Sequence, residues 1–85
     1  MDISLTTGSP TADATGLTEG GFYSVLTSCG SGRIRVAVEA GTGDWKQVAV
    51  LGDAELVSIP ALPGTKIRFT LEGSATGTAR VTEAA

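Results

Sequence analysis

The chain has 85 residues and a formal net charge of −3, with no His, no Asn and a single Cys. A chain of this length forms one domain at most. Without His, nucleophile–histidine pairs and imidazole metal sites are excluded, and a single Cys excludes an intramolecular disulfide and a structural zinc cluster. We therefore expect a domain that is not an enzyme and that holds no cofactor.

Residues 1–20 carry few large apolar side chains. Ile3 and Leu5 alternate with polar residues, which is typical of a short extended strand. From residue 6 to residue 20, Leu17 is the one large apolar residue. Two interpretations remain open, namely an N-terminal arm that lies on a neighbouring subunit, or a first strand of the same domain followed by a loose loop.

Residues 21–85 show the pattern of a small β domain. Two runs, 33–39 and 66–72, alternate between apolar and polar side chains, as half-buried strands do. Turn residues recur about every ten positions, which is the spacing of a sandwich or small barrel. Weaker strand signals cover 22–28, 45–51, 55–59 and 78–82. The prediction is all-β, a small antiparallel β-sandwich or partly closed barrel of six to seven strands with an extended N-terminal segment.

Glycine-rich segments separate the predicted strands. Residues 30–32, Gly-Ser-Gly, and residues 64–66, Gly-Thr-Lys, resemble parts of phosphate-binding loops, but neither has the full glycine pattern or a helix after it. We interpret both as hairpin turns. Pro63-Gly64 suits a type II turn, because Pro fixes φ at the second position and Gly accepts a positive φ at the third.

The arginines and aromatic residues are the main candidates for contact with a partner. The arginines alternate with apolar neighbours, so we expect them on the solvent face, where they either dock on an acidic partner or serve solubility and protect strand edges. Tyr23 and Trp45 either pack in a core or subunit interface, or stack on a sugar. The complete set of candidate contact residues is Ile3, Leu5, Tyr23, Arg33, Arg35, Trp45 and Arg68.

Cys29 lies at the start of a turn. A reactive thiol needs a neighbouring base or a helix N-terminus that lowers its pKa, and the local sequence supplies neither. We expect a small, half-buried residue, with an inter-chain disulfide as the alternative.

A longer stretch carries a family resemblance. Residues 58–69, Ser-Ile-Pro-Ala-Leu-Pro-Gly-Thr-Lys-Ile-Arg-Phe, continue into Thr-Leu-Glu-Gly-Ser-Ala at 70–75. With the opening Gly-Phe-Tyr-Ser-Val at 21–25 and the Gly-rich turn before Trp45, this stretch resembles small β-sandwich virion proteins of tailed bacteriophages. The resemblance covers residues 20–83. It implies a protein that decorates or cements capsids, or a part of a tail or fibre, and it transfers no catalytic residue.

The resulting hypothesis is a non-enzymatic bacteriophage virion protein, a capsid cement or decoration protein on the capsid exterior, assembled in the host cytoplasm. Its partner would be the assembled major capsid protein or another virion protein, and it would be a homo-oligomer, with a trimer favoured. A tail or fibre component and a small carbohydrate-binding module are the alternatives.

Two classes of partner are not expected. The acidic excess argues against nucleic-acid binding, which needs a net basic surface. No apolar run approaches the roughly 20 residues of a membrane helix, and the first residues lack a signal-peptide pattern.

Overall fold

The computed structural model describes residues 1–15, 21–39 and 43–84. Within these residues the chain forms eight strands and no helix, so none that could cross a membrane. The strands are β1 (Asp2–Thr6), β2 (Thr11–Ala14), β3 (Gly21–Ser28), β4 (Arg33–Glu39), β5 (Trp45–Leu51), β6 (Leu56–Ala61), β7 (Ile67–Glu72) and β8 (Thr76–Ala84).

The strands form two sheets of four in which all neighbours are antiparallel. The first sheet has the order β1-β8-β3-β6 and the second has the order β2-β7-β4-β5. This is the strand order of a jelly roll, in which the chain passes back and forth between two packed sheets. The prediction of an all-β sandwich is therefore confirmed, with eight strands in place of the six or seven expected.

The core lies between the two sheets and follows the alternation in the sequence. Ile34 and Val36 on β4 and Phe69 on β7 are fully buried, and they face Val25 and Ala79 of the first sheet's central strands. Burial of each large apolar side chain contributes about 1.5–3 kcal/mol to the free energy of folding. The periodicity of residues 33–39 and 66–72 thus locates the inner face of the second sheet.

The strand that the sequence pattern missed is β2. Its residues Thr11, Ala12, Asp13 and Ala14 include no large apolar side chain, so the alternation carries no hydrophobic signal. It pairs with β7 at the edge of the second sheet, and Ala14 is fully buried. The contribution of β2 to the core is therefore two methyl groups, those of Ala12 and Ala14, which sequence periodicity does not detect.

The first residues belong to the sandwich of their own chain. β1 pairs with β8, where Ile3 lies opposite Ala79 and Leu5 lies opposite Gly77. Residues 2–6 thus form a first strand within the domain. Leu17 and the rest of 16–20 lie outside the described residues.

The connections correct one expectation. Residues 30–32 join β3 of the first sheet to β4 of the second, and residues 62–66 join β6 to β7 in the same way. Both segments are therefore crossovers between sheets and not hairpin turns. Turn residues permit a reversal of the chain, but the sheet that the next strand enters depends on its distant pairing partners.

The turn at Pro63-Gly64 has the expected local geometry. Gly64 has a φ of 80°, and the Thr65 N–H donates to the Leu62 carbonyl at 3.1 Å. A positive φ at the third position is what a type II turn requires, and Gly adopts it without strain.

Candidate functional site

The outer face of the second sheet collects four of the seven candidate residues. Arg33 and Arg35 point outward from β4 because they alternate with residues of the core. Arg68 on β7 and Trp45 at the start of β5 lie on the same side of the sheet. We name this surface, defined by Arg33, Arg35, Trp45 and Arg68, the arginine–tryptophan face.

Arg68 is held between an aromatic ring and a carboxylate. Its guanidinium carbon lies 3.9 Å from the centroid of the Trp45 ring, a cation–π contact. Its Nε and Nη2 donate to the two carboxylate oxygens of Asp13 on β2 at 2.8 and 3.1 Å. The hydrogen bonds from Arg68 to Asp13 raise the pKa of the guanidinium. The side chain of Arg68 therefore has a fixed orientation on an otherwise accessible face.

Arg35 is held by a second set of contacts on the same face. Its Nε donates to the carboxylate of Glu72, and its Nη1 donates to Oε1 of Gln47 at 3.2 Å. Arg33 lies opposite Glu72 in the register of β4 and β7. Among the described residues, Arg33 has no ion-pair partner within 4 Å.

The charges on the arginine–tryptophan face balance. The three arginines share the face with the carboxylates of Asp13, Glu39 and Glu72, which stand on β2, β4 and β7. The face therefore carries one carboxylate for each of its three arginines, so charge alone does not favour the interpretation in which it docks on an acidic partner. The bonded pairs are distant along the chain, 55 residues for Arg68 and Asp13 and 37 residues for Arg35 and Glu72, and strand pairing brings them together.

The other three candidates point into the core. Leu5 and Tyr23 are 1% and 3% exposed, and Ile3 packs against the same core. Leu5 and Tyr23 therefore fill the interior of their own chain and offer no surface to a partner, and Ile3 is partly buried against the same core. Because Tyr23 is buried and Arg68 covers Trp45, these two rings do not form the exposed pair that a sugar-stacking site would use.

The outer face of the first sheet carries exposed apolar side chains that the sequence interpretation did not select. Leu26 lies opposite Leu56 across β3 and β6, and Phe22 lies opposite Pro60. Leu56 is 68% exposed and Phe22 is 56% exposed. We name this surface, defined by Phe22, Leu26, Leu56, Pro60 and Leu62, the apolar face. The signal in the sequence was β3 itself, which has apolar residues on both of its sides.

A groove borders the apolar face. It has a volume of about 330 Å³ and lies between Leu26 and the connection from β5 to β6, with Arg80 at its rim. Arg80 donates to the two carboxylate oxygens of Asp2 at 2.9 and 3.5 Å, and this contact lowers the pKa of Asp2. Asp2 and Arg80, which lie beside the apolar face, are therefore paired with each other.

Cys29 is a core residue at the crossover from β3 to β4. It is 2% exposed, its Sγ donates to the Gly32 carbonyl at 3.3 Å, and burial raises the pKa of its thiol. The thiol is thus more buried than expected and does not reach the surface for an inter-chain disulfide.

Within the described part of the chain, no group of three or more His, Cys, Asp or Glu side chains could hold a metal ion. The chain matches no protein-family model, no curated protein and no solved structure. The two outer faces are therefore the surfaces from which a function is argued.

Proposed function

We propose that this chain is a non-enzymatic structural protein of a tailed-phage virion, which decorates the assembled capsid and cements neighbouring major capsid subunits. Its contact surface is the arginine–tryptophan face. The observation that carries the proposal is the fixed position of Arg68 between Trp45 and Asp13, on the face that also holds Arg35.

This arrangement suits a protein interface for three reasons. Trp and Arg are the residue types most enriched among those that dominate binding energy. Arg35 and Arg68 are already ordered by their partners, so less side-chain entropy is lost when another protein covers them. Arg35 and Arg68 carry their own carboxylate partners, so another protein can bury these two arginines without leaving their charges unpaired.

The fold supports the proposal by analogy. Jelly rolls build many viral capsid proteins, and they also build lectin domains and cupins. One fold hosts many functions, so the site decides between them. A carbohydrate-binding function has less support here, because Tyr23 is buried and Arg68 lies over Trp45.

A small rigid sandwich can stabilise a lattice through weak contacts. Contacts repeated at symmetry-related positions add by multivalency, so a modest affinity at each site is sufficient. A protein that binds the assembled lattice and not its separate subunits shifts the equilibrium toward assembly by mass action.

The test is the stoichiometry of this chain in particles from its source culture. Particles are separated by sedimentation, and the chain and the major capsid protein are quantified by mass spectrometry. We expect co-sedimentation with intact particles at a ratio near one chain per capsid subunit. A few copies per particle would identify a tail or fibre component, and recovery in the soluble fraction alone would contradict a virion function.

A matched pair of variants then tests the face. Arg68→Ala and Arg80→Ala each remove an arginine that pairs with an aspartate through two oxygens, on opposite faces of the sandwich. Added to particles depleted of the chain, Arg80→Ala should rebind like the unaltered protein, whereas Arg68→Ala should not. Equal rebinding of the two variants would exclude the arginine–tryptophan face as the contact surface.

A further inference from the structure

We propose that a second copy of this chain covers the apolar face, so that two copies pack face to face through their first sheets about a two-fold axis. The inference goes beyond the proposed function, because it concerns the opposite face of the sandwich and a different partner.

The apolar face is complementary in shape to the same face of a second copy. Leu26 and Leu56 form one raised row across β3 and β6, and Phe22 and Pro60 form a second row four residues away, about 13 Å along the strand. Between these rows lie the small, directly opposed side chains of Ser24 and Ser58. The face therefore consists of two ridges with a valley between them.

One symmetry operation fits the leucine ridge of each copy into the serine valley of the other. A two-fold axis in the interface, passing midway between the leucine row and the serine row, places the leucines of each copy over the serines of the other. The contact is isologous, since the same patch is used by both copies and the assembly closes at two. Stacked sheets pack in this way, with the sheets about 10 Å apart and the side chains between them interdigitated.

Charge favours a second copy at this face over a charged partner. The outward residues of β3 and β6 are apolar or Ser, and Arg80 of β8, which lies directly opposite Leu26, is paired with Asp2. Two copies with a net charge of −3 each can therefore approach through this face with Arg80 already neutralised in each copy. The arginine–tryptophan face, by contrast, would bring Arg33, which has no ion-pair partner among the described residues, into the interface.

The available area fits a weak, reversible dimer. The Cα extents of the molecule are 32 × 26 × 18 Å, so a broad face measures at most 32 by 26 Å. Covering most of such a face buries on the order of 600 Å² per copy, about 1,200 Å² in total, which is the lower end of the range for specific interfaces. We therefore expect a dimer that dissociates on dilution.

Association through the edge strands β5 and β6 is less favourable than association through the apolar face. Pro60 on the edge strand β6 has no backbone N–H to offer to another strand. The edge strand β5 has a bulge where Val36 pairs with Ala49 and Ala37 pairs with Gln47, and a bulge twists an edge away from pairing.

The experiment is sedimentation equilibrium of the purified chain over about 1 µM to 1 mM. We expect the mass to rise with concentration from 8.5 kDa toward twice that value. Leu56→Asp should weaken association by about 30-fold or more, because it buries a charge in the interface. Val50→Asp is the matched control, since Val50 is exposed on the outer face of the second sheet and should leave association unchanged.

Circular dichroism establishes that the variants are folded. If the Leu56→Asp variant does not fold, the Ser58→Arg variant is measured in its place. A long charged side chain at the exposed Ser58 fills the valley and should weaken association in the same way. A mass of one chain at every concentration, a mass of three chains, or equal weakening by the Leu56 and Val50 variants would overturn the inference. The purified chain contains no capsid protein, so these outcomes leave the proposed capsid contact to its own test, and Arg68→Ala should still dimerise.

Discussion

The carboxylate of Asp53 accepts the backbone N–H of Cys29 at 2.9 Å, and the same oxygen accepts the N–H of Gly30 at 3.2 Å. Asp53 lies on the connection from β5 to β6, and Cys29 lies on the connection from β3 to β4. One side chain therefore links two crossovers between the sheets. The nearby Thr27 strengthens this end, because its buried hydroxyl donates to the Gly52 carbonyl at 2.7 Å.

We predict that Asp53 makes stability depend on acidity. The two N–H donors lower the pKa of Asp53 from its usual value of 3.8. The ionised carboxylate therefore contributes its full share of folding stability above that value, and this share is lost as the pH falls through the lower pKa of the folded state. Thermal unfolding between pH 7 and about pH 2 measures this dependence. Asp53→Ala should lower the thermal unfolding midpoint at pH 7 and reduce the fall of that midpoint as the pH is lowered. Asp44→Ala, which removes a carboxylate on an exposed turn, should do neither.

Gly32 should not tolerate a methyl group. A Cβ at this position would meet the backbone carbonyl of Glu72 and would lie 2.9 Å from the backbone N of Ser74, neither of which can move aside as a flexible side chain can. We expect Gly32→Ala to lower the free energy of unfolding by about 1–3 kcal/mol in denaturant titrations. Gly8→Ala is the control, because its Cβ would meet nothing closer than 4.0 Å, and it should change stability by less than about 1 kcal/mol. Equal effects would refute the close approach of Gly32 to the β7–β8 connection.

The fluorescence of Trp45 should report the position of Arg68. Trp45 is the single tryptophan, so the emission has one source. Removing the guanidinium that lies 3.9 Å above the ring should expose the indole to water, shift its emission to longer wavelength and increase quenching by acrylamide. We expect this change in Arg68→Ala but not in Arg80→Ala. An unchanged spectrum in Arg68→Ala would mean that Arg68 does not cover the ring.

The thiol of Cys29 should be unreactive in the folded protein. Burial restricts access to it and raises its pKa, so little thiolate is present near neutral pH. Labelling with a chromogenic disulfide should be slow in buffer and fast in denaturant. A Ser31→Cys variant supplies the comparison, since residue 31 is exposed in the same connection and should label at once. Equally fast labelling of the native protein would show that this end of the sandwich opens readily.

The two outer faces were accessible to sequence reasoning to different degrees. The outward direction of Arg33, Arg35 and Arg68 followed from alternation with core residues and was correct. The pairing of Arg68 with Asp13 was not foreseen, since the two residues are 55 positions apart in the chain. Tyr23 was a candidate for contact with a partner, with core packing as the open alternative, and it is buried. β3 has apolar residues on both sides, so the pattern did not indicate which side faces the core.

The sequence by itself determined the class of fold and most of the core. A period of two in apolar side chains places one side of a strand against the interior, and this relation is local, so Ile34 and Phe69 could be assigned without tertiary information. Glycine and proline likewise marked where strands end, because their backbone preferences are properties of single residues.

Only the tertiary structure decided which strands share a sheet, that β2 is a strand, and that Leu26 lies beside Leu56 on one exposed face. These relations join residues that are distant in sequence, and each depends on how the remaining strands are paired. A local pattern specifies that a strand has a buried side, whereas its neighbours are selected by the free energy of the whole sandwich.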